Sequence, residues 1–182
     1  MTQPEASQKP VSLNQIHPRS VSAVIQIVSD ALGADGSIDL RHTAYGDNLS
    51  PPLRWTPVEG AVAYALILED PDAPSPRPFV HWLIWNIPAA DTSLPEGVTA
   101  EPRPPGLGGA IEGLNGAGGV GYHGPHPPAG SGVHHYHFQV FALDQPLELE
   151  PGADIDALRA AMDGHVLADG ELVGTYVRPA TQ

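Results

Sequence analysis

Three apolar runs, each bounded by turn-forming residues, dominate the pattern of the chain. Residues 62–69 are apolar at almost every position, as in a strand with both faces buried. The run at 80–87 follows a proline-rich loop and ends at Pro88, which cannot donate a ladder hydrogen bond. The third run, at 133–143, alternates between two faces. These runs predict three β-strands, and a stiff loop joins the first two.

Alternation divides the strand predicted at 133–143 into two faces. One face carries a histidine, a tyrosine and two apolar side chains: His134, Tyr136, Phe138 and Val140. The other face carries more polar groups: His135, His137, Gln139 and Phe141. Because the first face is more apolar, we expect it to look into the core.

Helical spacing appears near the C-terminus. Apolar residues recur at helical intervals over 154–168, and Asp154 is suited to cap a helix, so the pattern predicts a helix there. A short final strand is predicted at 172–177.

The N-terminal region has the weakest pattern. Residues 1–20 are polar and interrupted by proline, which predicts a flexible leader. A first strand is predicted at 21–28. A single domain is expected to span 21–180.

Glycine and proline are frequent, with 20 Gly and 21 Pro in 182 residues. This composition predicts many turns and an all-β fold. The two residue types are densest at 102–132, which alone would indicate a linker between domains. Only about 50 residues follow, too few for a comfortable second domain. A long loop inside a compact domain is usually functional, so we expect this segment to belong to a site.

Acidic residues outnumber basic ones, which restricts the partners. The formal net charge is −13, with only 8 Lys and Arg residues. Such a surface does not favour binding to nucleic acid or docking on anionic membranes. No apolar run has the length of a membrane span, so stable membrane insertion is not expected. The N-terminus lacks the apolar region of a signal peptide, and a cytoplasmic location is therefore expected.

Candidate chemistry is limited by the absence of cysteine. Disulfides, thiolate nucleophiles and Cys-ligated zinc are excluded. Five of the 9 histidines fall between 123 and 137, which raises the question of a zinc site. His134 and His135 point to opposite faces, however, so a metal is not favoured. No Gly-x-Ser-x-Gly motif supplies a candidate serine for a hydrolase triad.

The loop between the first two predicted strands carries the strongest candidate for a site. Asp70 and Asp72 follow one strand, and His81 opens the next. Four prolines stiffen the loop and present the carboxylates in fixed directions. A carboxylate near a histidine can fix the tautomer or the charge of the imidazole. We expect these three residues to form one wall of a binding site, although aspartates that cap turns beside a satisfied core histidine would give the same pattern.

Two further features could complete this site. His134 and Tyr136 share a face, and burying a histidine without a partner costs roughly 1–3 kcal/mol, so its inward position favours function. The glycine-rich segment around Gly121 could bring backbone N–H groups close to an anion. This segment is no nucleotide fingerprint, because it lacks Gly-Lys-Ser/Thr and a following helix.

Short collinear motifs spread over most of the chain carry a family resemblance. They are Asn-Leu-Ser-Pro-Pro-Leu-Arg-Trp at 48–55, Asp-Pro-Asp-Ala-Pro at 70–74, His-Trp at 81–82, Trp-Asn-Ile-Pro at 85–88, Gly-Tyr at 121–122, Gly-Pro at 124–125, Pro-Pro at 127–128, His-His-Tyr at 134–136, Ala-Leu-Asp at 142–144, Gly-His-Val-Leu-Ala at 164–168 and Gly-Thr-Tyr at 174–176. In this order they resemble the phosphatidylethanolamine-binding protein family, and in particular its bacterial Raf-kinase-inhibitor-like branch.

The resemblance implies a mainly β fold, an antiparallel Greek-key β-sandwich with a C-terminal helix and a small anion-binding pocket. It carries that pocket onto six residues: Asp70, Asp72, His81, Gly121, His134 and Tyr136. Pro71 and Pro74 match a structural loop in which relatives hold cis prolines. The helix around His165 is expected near the pocket mouth. No cofactor is implied, and the dimers of relatives leave a homodimer open.

The implied ligand is a phosphate-like anion: a phospholipid headgroup, a phosphorylated group or a small oxyanion. We hypothesise that Asp70 and Asp72 keep His81 cationic or fix its tautomer. His81, His134 and backbone N–H groups would then face the anion, and Tyr136 would donate a further hydrogen bond. A protonated carboxyl could instead act as a donor. Binding is expected to weaken as pH rises through roughly 6 to 8, where histidines lose charge.

A non-enzymatic binding or regulatory module is favoured over the alternatives, because no nucleophile is evident. An enzyme acting on phosphoesters, or a metal site at His123, His126 and His135, stays open. Inhibition of proteases or kinases follows only from the relatives, and the protein partner is unknown. Two positions depart from the bacterial pattern: Asn-Gly-Ala at 115–117 replaces Asn-Asp-aromatic, and His126 replaces a frequent Cys. Both changes concern the identity of the ligand.

Overall fold

The structure is a computed structural model, and it describes residues 9–18 and 23–180. The strands are β1 (Ile27–Val28), β2 (Leu53–Trp55), β3 (Ala63–Asp70), β4 (Phe79–Pro88), β5 (Ser93–Leu94), β6 (Ile111–Glu112), β7 (Val133–Leu143) and β8 (Val166–Val177). One helix, α1 (Ile155–Met162), lies between β7 and β8. Short 3-10 helices occupy Ser12–Asn14 and Leu40–His42.

The strands form two sheets with antiparallel ladders. The larger sheet has the order β6-β4-β3-β7-β8, and the smaller has the order β1-β2-β5. Strand β7 returns past β4 to lie beside β3, so β7, β3, β4 and β6 have the 4-1-2-3 order of a Greek key. The predicted fold class, a mainly β Greek-key sandwich with one C-terminal helix, is confirmed.

The larger sheet is covered on both faces. Between the sheets lies a core that includes Leu66, Trp82 and Phe138. The opposite face packs against α1 and the N-terminal segment through a second cluster that includes Trp85 and Phe141. All eight residues of β3 are buried, which explains why its sequence is apolar without alternation.

The three central strands lie where the sequence predicts them. Strand β3 is displaced by one residue from the predicted bounds, β4 is one residue longer than predicted at each end, and β7 has the predicted bounds. The face of β7 with Tyr136 and Phe138 does look into the core between the sheets. Local pattern suffices here because both faces of these strands are buried or alternate clearly.

The helix predicted over 154–168 is too long, and the last strand begins earlier than predicted. Asp154 does cap α1, since its Oδ1 accepts a hydrogen bond from the Ala157 N–H at 2.9 Å. The helix ends at Met162, and Gly164 follows with φ of 78°, a left-handed conformation that stops a helix. Residues from Val166 onward pair with β7 instead.

This correction also moves His165 away from the expected place. His165 lies in the turn before β8, with its Nδ1 2.9 Å from Asp144 Oδ1 at the C-terminal end of β7. His134 lies near the N-terminal end of β7, about 30 Å away at the usual rise per strand residue. His165 is therefore not near the pocket described below.

The N-terminal predictions need two corrections. Strand β1 has only two residues, with an isolated bridge from Val24 to Asp169, and positions 21–22 lie outside the described residues. Residues 9–18 pack against the larger sheet, where the Ser12 N–H donates to Glu69 Oε2 at 2.8 Å. These ten residues are thus not frayed as predicted, whereas the rest of the leader lies outside the described residues. The division into leader and domain stays a prediction.

Within residues 9–18 and 23–180, no helix has the length and apolar character needed to cross a membrane.

Candidate functional site

One end of the larger sheet forms a cavity because three strand ends meet there. β3 is antiparallel to both β4 and β7, so its last residue lies beside the first residue of β4 and near the N-terminal end of β7. The cavity has a volume of about 250 Å³. Its lining combines polar groups with an apolar wall: Asp70, Ala73, Pro74, Ser75, Phe79, His81, His123, His126, Pro127, Pro128 and His134.

Asp70 and His134 form a buried pair at this cavity. Asp70 Oδ2 lies 2.7 Å from His134 Nδ1, and both side chains are almost completely buried. The other carboxylate oxygen accepts a hydrogen bond from the Asp72 N–H at 2.8 Å. Burial raises the pKa of Asp70, although the hydrogen bond with His134 opposes this shift. The pair holds the imidazole in one orientation.

Ser131 extends this pair to a row of three side chains. Its Oγ lies 3.0 Å from His134 Nε2 and 2.8 Å from the carbonyl oxygen of Pro128. Ser131 was not among the residues predicted from the sequence, because it lies in no known nucleophile motif. The available signal was a serine between two glycines, three residues before a histidine that was predicted to face inward.

His81 lies in the cavity wall, but its partner is not an aspartate. Its Nδ1 lies 2.6 Å from the carbonyl oxygen of His123, so Nδ1 carries the proton. Burial lowers the pKa of His81 to about 3, and the ring is neutral at ordinary pH. The hypothesis that Asp70 and Asp72 keep His81 cationic is therefore wrong. The carboxylates turn towards β7, on the other side of β3.

Asp72 contacts β7 outside the cavity. Its Oδ2 lies 2.7 Å from His135 Nδ1 and accepts from the His135 N–H at 2.8 Å. His135 is thus held apart from His123 and His126, which line the cavity. In the described part of the chain, no three His, Cys, Asp or Glu side chains are grouped to hold a metal ion.

Tyr136 lies behind two cavity histidines rather than in the cavity wall. Its ring centroid is 5.2 Å from that of His81 and 6.5 Å from that of His134. The hydroxyl is buried and has no hydrogen-bond partner among the described residues. Burial raises the pKa of Tyr136, so the hydroxyl keeps its proton and stays a donor.

Gly121, like Asp72 and Tyr136, is a predicted site residue that does not line the cavity. Its N–H donates to the Gly113 carbonyl at 3.3 Å, so it is not open to a ligand. Its φ is 93°, and an added Cβ would lie 2.8 Å from Ala100 Cα and 2.9 Å from Glu112 Oε2. Glycine is needed there for close packing beside Glu112.

Aromatic rings and prolines make the rest of the wall. The ring of Phe79 lies 4.7 Å from that of His81, and His123 stacks 6.1 Å from His81. Burial lowers the pKa of His123. Pro74 lines the cavity and Pro71 is buried nearby, but no cis peptide bond occurs in residues 9–18 and 23–180. The cis prolines implied by the resemblance are therefore not present.

The fold is thus a β-sandwich with a cavity of about 250 Å³ at one end of its larger sheet, the kind of concave site in which small ligands are commonly held. Comparison with protein-family models matches residues 28–177 to the family described as phosphatidylethanolamine-binding protein. The chain belongs to this family, as the sequence motifs predicted.

Similar proteins occur in archaea and bacteria. A UPF0098 protein of Methanothermobacter thermautotrophicus is 46% identical over 155 residues, which cover 85% of this chain and 99% of the relative. LppC of Mycobacterium tuberculosis is 32% identical over 168 residues, which cover 92% of this chain and 80% of LppC. LppC carries the name of a lipoprotein. A cytoplasmic location therefore stays a prediction.

Two solved structures share the fold over most of this chain. A phosphatidylethanolamine-binding protein homologue of Chlamydia trachomatis has a TM-score of 0.73 and 36% identity, with 85% of this chain and 98% of that chain covered. YbcL of Escherichia coli, described as a member of the mammalian family, has a TM-score of 0.75 and 29% identity, with 85% and 99% covered.

Proposed function

We propose that this protein is a binding module that holds a phosphate-like anion in the cavity at the end of β3, β4 and β7. The supporting observation is the convergence of four imidazoles, those of His81, His123, His126 and His134, on one cavity of about 250 Å³. Imidazoles are hydrogen-bond donors when they are protonated, and two of these rings, those of His81 and His134, are buried in the wall of the cavity. A phospholipid headgroup and a free phosphate share the chemistry that this wall recognises.

The charges of the wall favour a singly charged anion. Asp70 brings a carboxylate close to the ligand, and like charges about 4 Å apart repel by roughly 1 kcal/mol in water and more at lower dielectric. His81 is neutral, and its Nε2 is an acceptor because Nδ1 carries the proton. A phosphate that keeps one proton can donate it to such a nitrogen. Affinity should therefore rise as pH falls, through protonation of the ligand.

Tyr136 supplies a second reason for a ligand at this position. A buried hydroxyl without a partner is costly, and the hydroxyl of Tyr136 has none among the described residues. An anionic oxygen that entered between the rings of His81 and His134 would provide the missing acceptor. This donor would act at every ordinary pH, since the pKa of Tyr136 is raised.

The test is titration with inorganic phosphate and with phosphoethanolamine by calorimetry, at constant ionic strength and between about pH 6 and pH 8. The His134→Gln variant should lose roughly tenfold in affinity, the worth of one charge-assisted hydrogen bond. The exposed His17 offers a matched control, and His17→Gln should bind like the wild type. Equal affinity for the two probes would indicate that the phosphate group alone is read. Undetectable binding of both probes, or binding that His134→Gln leaves intact, would refute the proposal.

A further inference from the structure

The row formed by Ser131, His134 and Asp70 has the order and spacing of a nucleophile, a general base and a group that orients the base. Ser131 Oγ is 3.0 Å from His134 Nε2, and His134 Nδ1 is 2.7 Å from Asp70 Oδ2. A serine within hydrogen-bond reach of a base, which a third group orients in turn, is the arrangement that activates a hydroxyl for attack. Such arrangements are recognised by geometry and not by order in the chain.

Burial differs along the row in the way that this chemistry requires. Asp70 and His134 are each 3% exposed, whereas Ser131 is exposed at the rim, next to the cavity-lining Pro128. The buried members are shielded from water, and the hydroxyl can be reached by a substrate. Because Asp70 accepts at Nδ1, the neutral imidazole places its proton there, and Nε2 is left with a lone pair for the serine proton.

The hydroxyl has two acceptors within reach. Besides Nε2, the Pro128 carbonyl oxygen lies 2.8 Å from Ser131 Oγ. When His134 is neutral, Nε2 can accept the hydroxyl proton and the serine is activated. When His134 is protonated, Nε2 donates and the hydroxyl turns to Pro128. Protonation of His134 therefore switches the nucleophile off.

A donor for a developing oxyanion lies next to the serine. The N–H of Gly132, the residue after Ser131, donates to no backbone acceptor in the described part of the chain. Gly132 has φ of 88°, and a Cβ built on it would meet no atom within 4 Å. The space beside the Gly132 Cα is therefore open. The N–H of the residue after a nucleophile commonly serves as an oxyanion donor.

We propose that Ser131 is a nucleophile that cleaves small carboxylic esters, with His134 as its general base and Asp70 as the positioning residue. Ser131 Oγ forms a bond to the ester carbonyl carbon, and its proton passes to His134 Nε2. The leaving alcohol departs with that proton, and water then hydrolyses the acyl-serine by the same route. The apolar part of the cavity, made by Phe79 and Pro127, fits a short acyl or aryl group.

The first test is labelling of the full chain with a fluorophosphonate probe, read by intact mass. The wild type should gain one adduct, and Ser131→Ala should gain none. Ser93 is an exposed serine on β5, so Ser93→Ala should be labelled like the wild type. An unlabelled wild type, or an adduct that persists in Ser131→Ala, would overturn the proposal. The first of these results would leave Ser131 and His134 as polar groups of a binding site only.

The role of Asp70 has a separate readout. In Asp70→Asn, the side-chain amide N–H donates to His134 Nδ1, so the imidazole proton lies on Nε2. A protonated Nε2 cannot accept the proton of the serine hydroxyl. Labelling should then slow by roughly tenfold or more and still reach one adduct at long times. An unchanged rate would refute the positioning role. A reduced final extent of labelling would also refute it, because the orientation of His134 affects the rate at which Ser131 reacts and not the fraction that reacts in the end.

A second test exploits the absence of cysteine, which makes any introduced thiol unique. The thiol of Ser131→Cys should react with iodoacetamide faster than that of Ser93→Cys, because His134 favours the thiolate. The additional change His134→Gln should remove most of this advantage. Equal rates at the two positions would contradict activation by His134 even if both proteins are folded.

Discussion

Glu112, the last residue of β6, is a buried carboxyl whose ionisation should make the fold less stable as pH rises. Its Oε1 accepts from the Trp82 Nε1–H at 2.7 Å, and its Oε2 accepts from the Glu101 N–H at 3.1 Å. The side chain is completely buried, and this burial raises its pKa from 4.5 to about 7 against the effect of the two hydrogen bonds. No cation is paired with it among the described residues.

The sign and size of the effect follow from the difference between the folded and unfolded states. Between pH 4.5 and about 7 the folded protein binds the Glu112 proton, and the unfolded chain has lost it. The free energy of unfolding therefore falls as pH rises through this window. Since one pKa unit corresponds to about 1.4 kcal/mol, the loss over this window should be on the order of 3–4 kcal/mol.

Urea unfolding of the wild type and of Glu112→Gln across this pH window would measure the loss of stability that Glu112 causes. The amide keeps an acceptor for Trp82 and does not titrate. Other carboxyls titrate in the same range, so the informative quantity is the difference in unfolding free energy between the two proteins. As pH rises, the stability of Glu112→Gln relative to the wild type should increase by the loss worked out above. The exposed Glu59 provides a control, and Glu59→Gln should run parallel to the wild type. Parallel curves for Glu112→Gln would refute the reasoning.

Two further changes test the packing that holds the site in place. Arg159 is paired at 3.2 Å with the fully buried Glu69, and Arg159→Ala should destabilise by about 3–5 kcal/mol because it leaves a buried charge unpaired. The exposed Arg77 also pairs with a carboxylate, so Arg77→Ala is a matched control that should cost less than about 1 kcal/mol in the same denaturation assay. In Gly170→Ala, the added Cβ would overlap the backbone carbonyl of Ile25, and thermal unfolding should show a loss of about 1–3 kcal/mol. A Gly170→Ala variant as stable as the wild type would contradict the close packing of β8 against Ile25.

Secondary structure was predicted correctly where burial imposes a regular period on the sequence. It was predicted wrongly where the pairing of strands decides which structure a segment adopts. Strand β7 was predicted with its bounds and its inward face, because alternation along a half-buried strand is local information. The end of α1 was not predicted, because 163–168 carry apolar residues that suit either a helix or a strand. Pairing of β8 with β7 decided this case.

The candidate site divides in the same way. Asp70, His81 and His134 were selected from the sequence as members of one site, and the structure brings all three to one cavity. The pairing of Asp70 with His81 was predicted wrongly, because strand order determines which side chain meets which carboxylate: Asp70 pairs with His134, and His81 with the carbonyl of His123. Ser131 was missed for a related reason. Its proximity to His134 Nε2 exists only in the folded protein, where His134 pairs with Asp70, 64 positions away in the chain.

The sequence by itself determined the family, the central strands and the set of polar residues gathered at one end of the sheet. Those features follow from local periodicity and from collinear motifs, which can be recognised without knowing which residues meet in the fold. Only the tertiary structure decided the ionisation and the partners: a neutral His81 bound to the carbonyl of His123, and an Asp70 bound to His134. Protonation depends on burial and on neighbours within a few ångströms, and neither quantity exists until strands distant in the chain have paired.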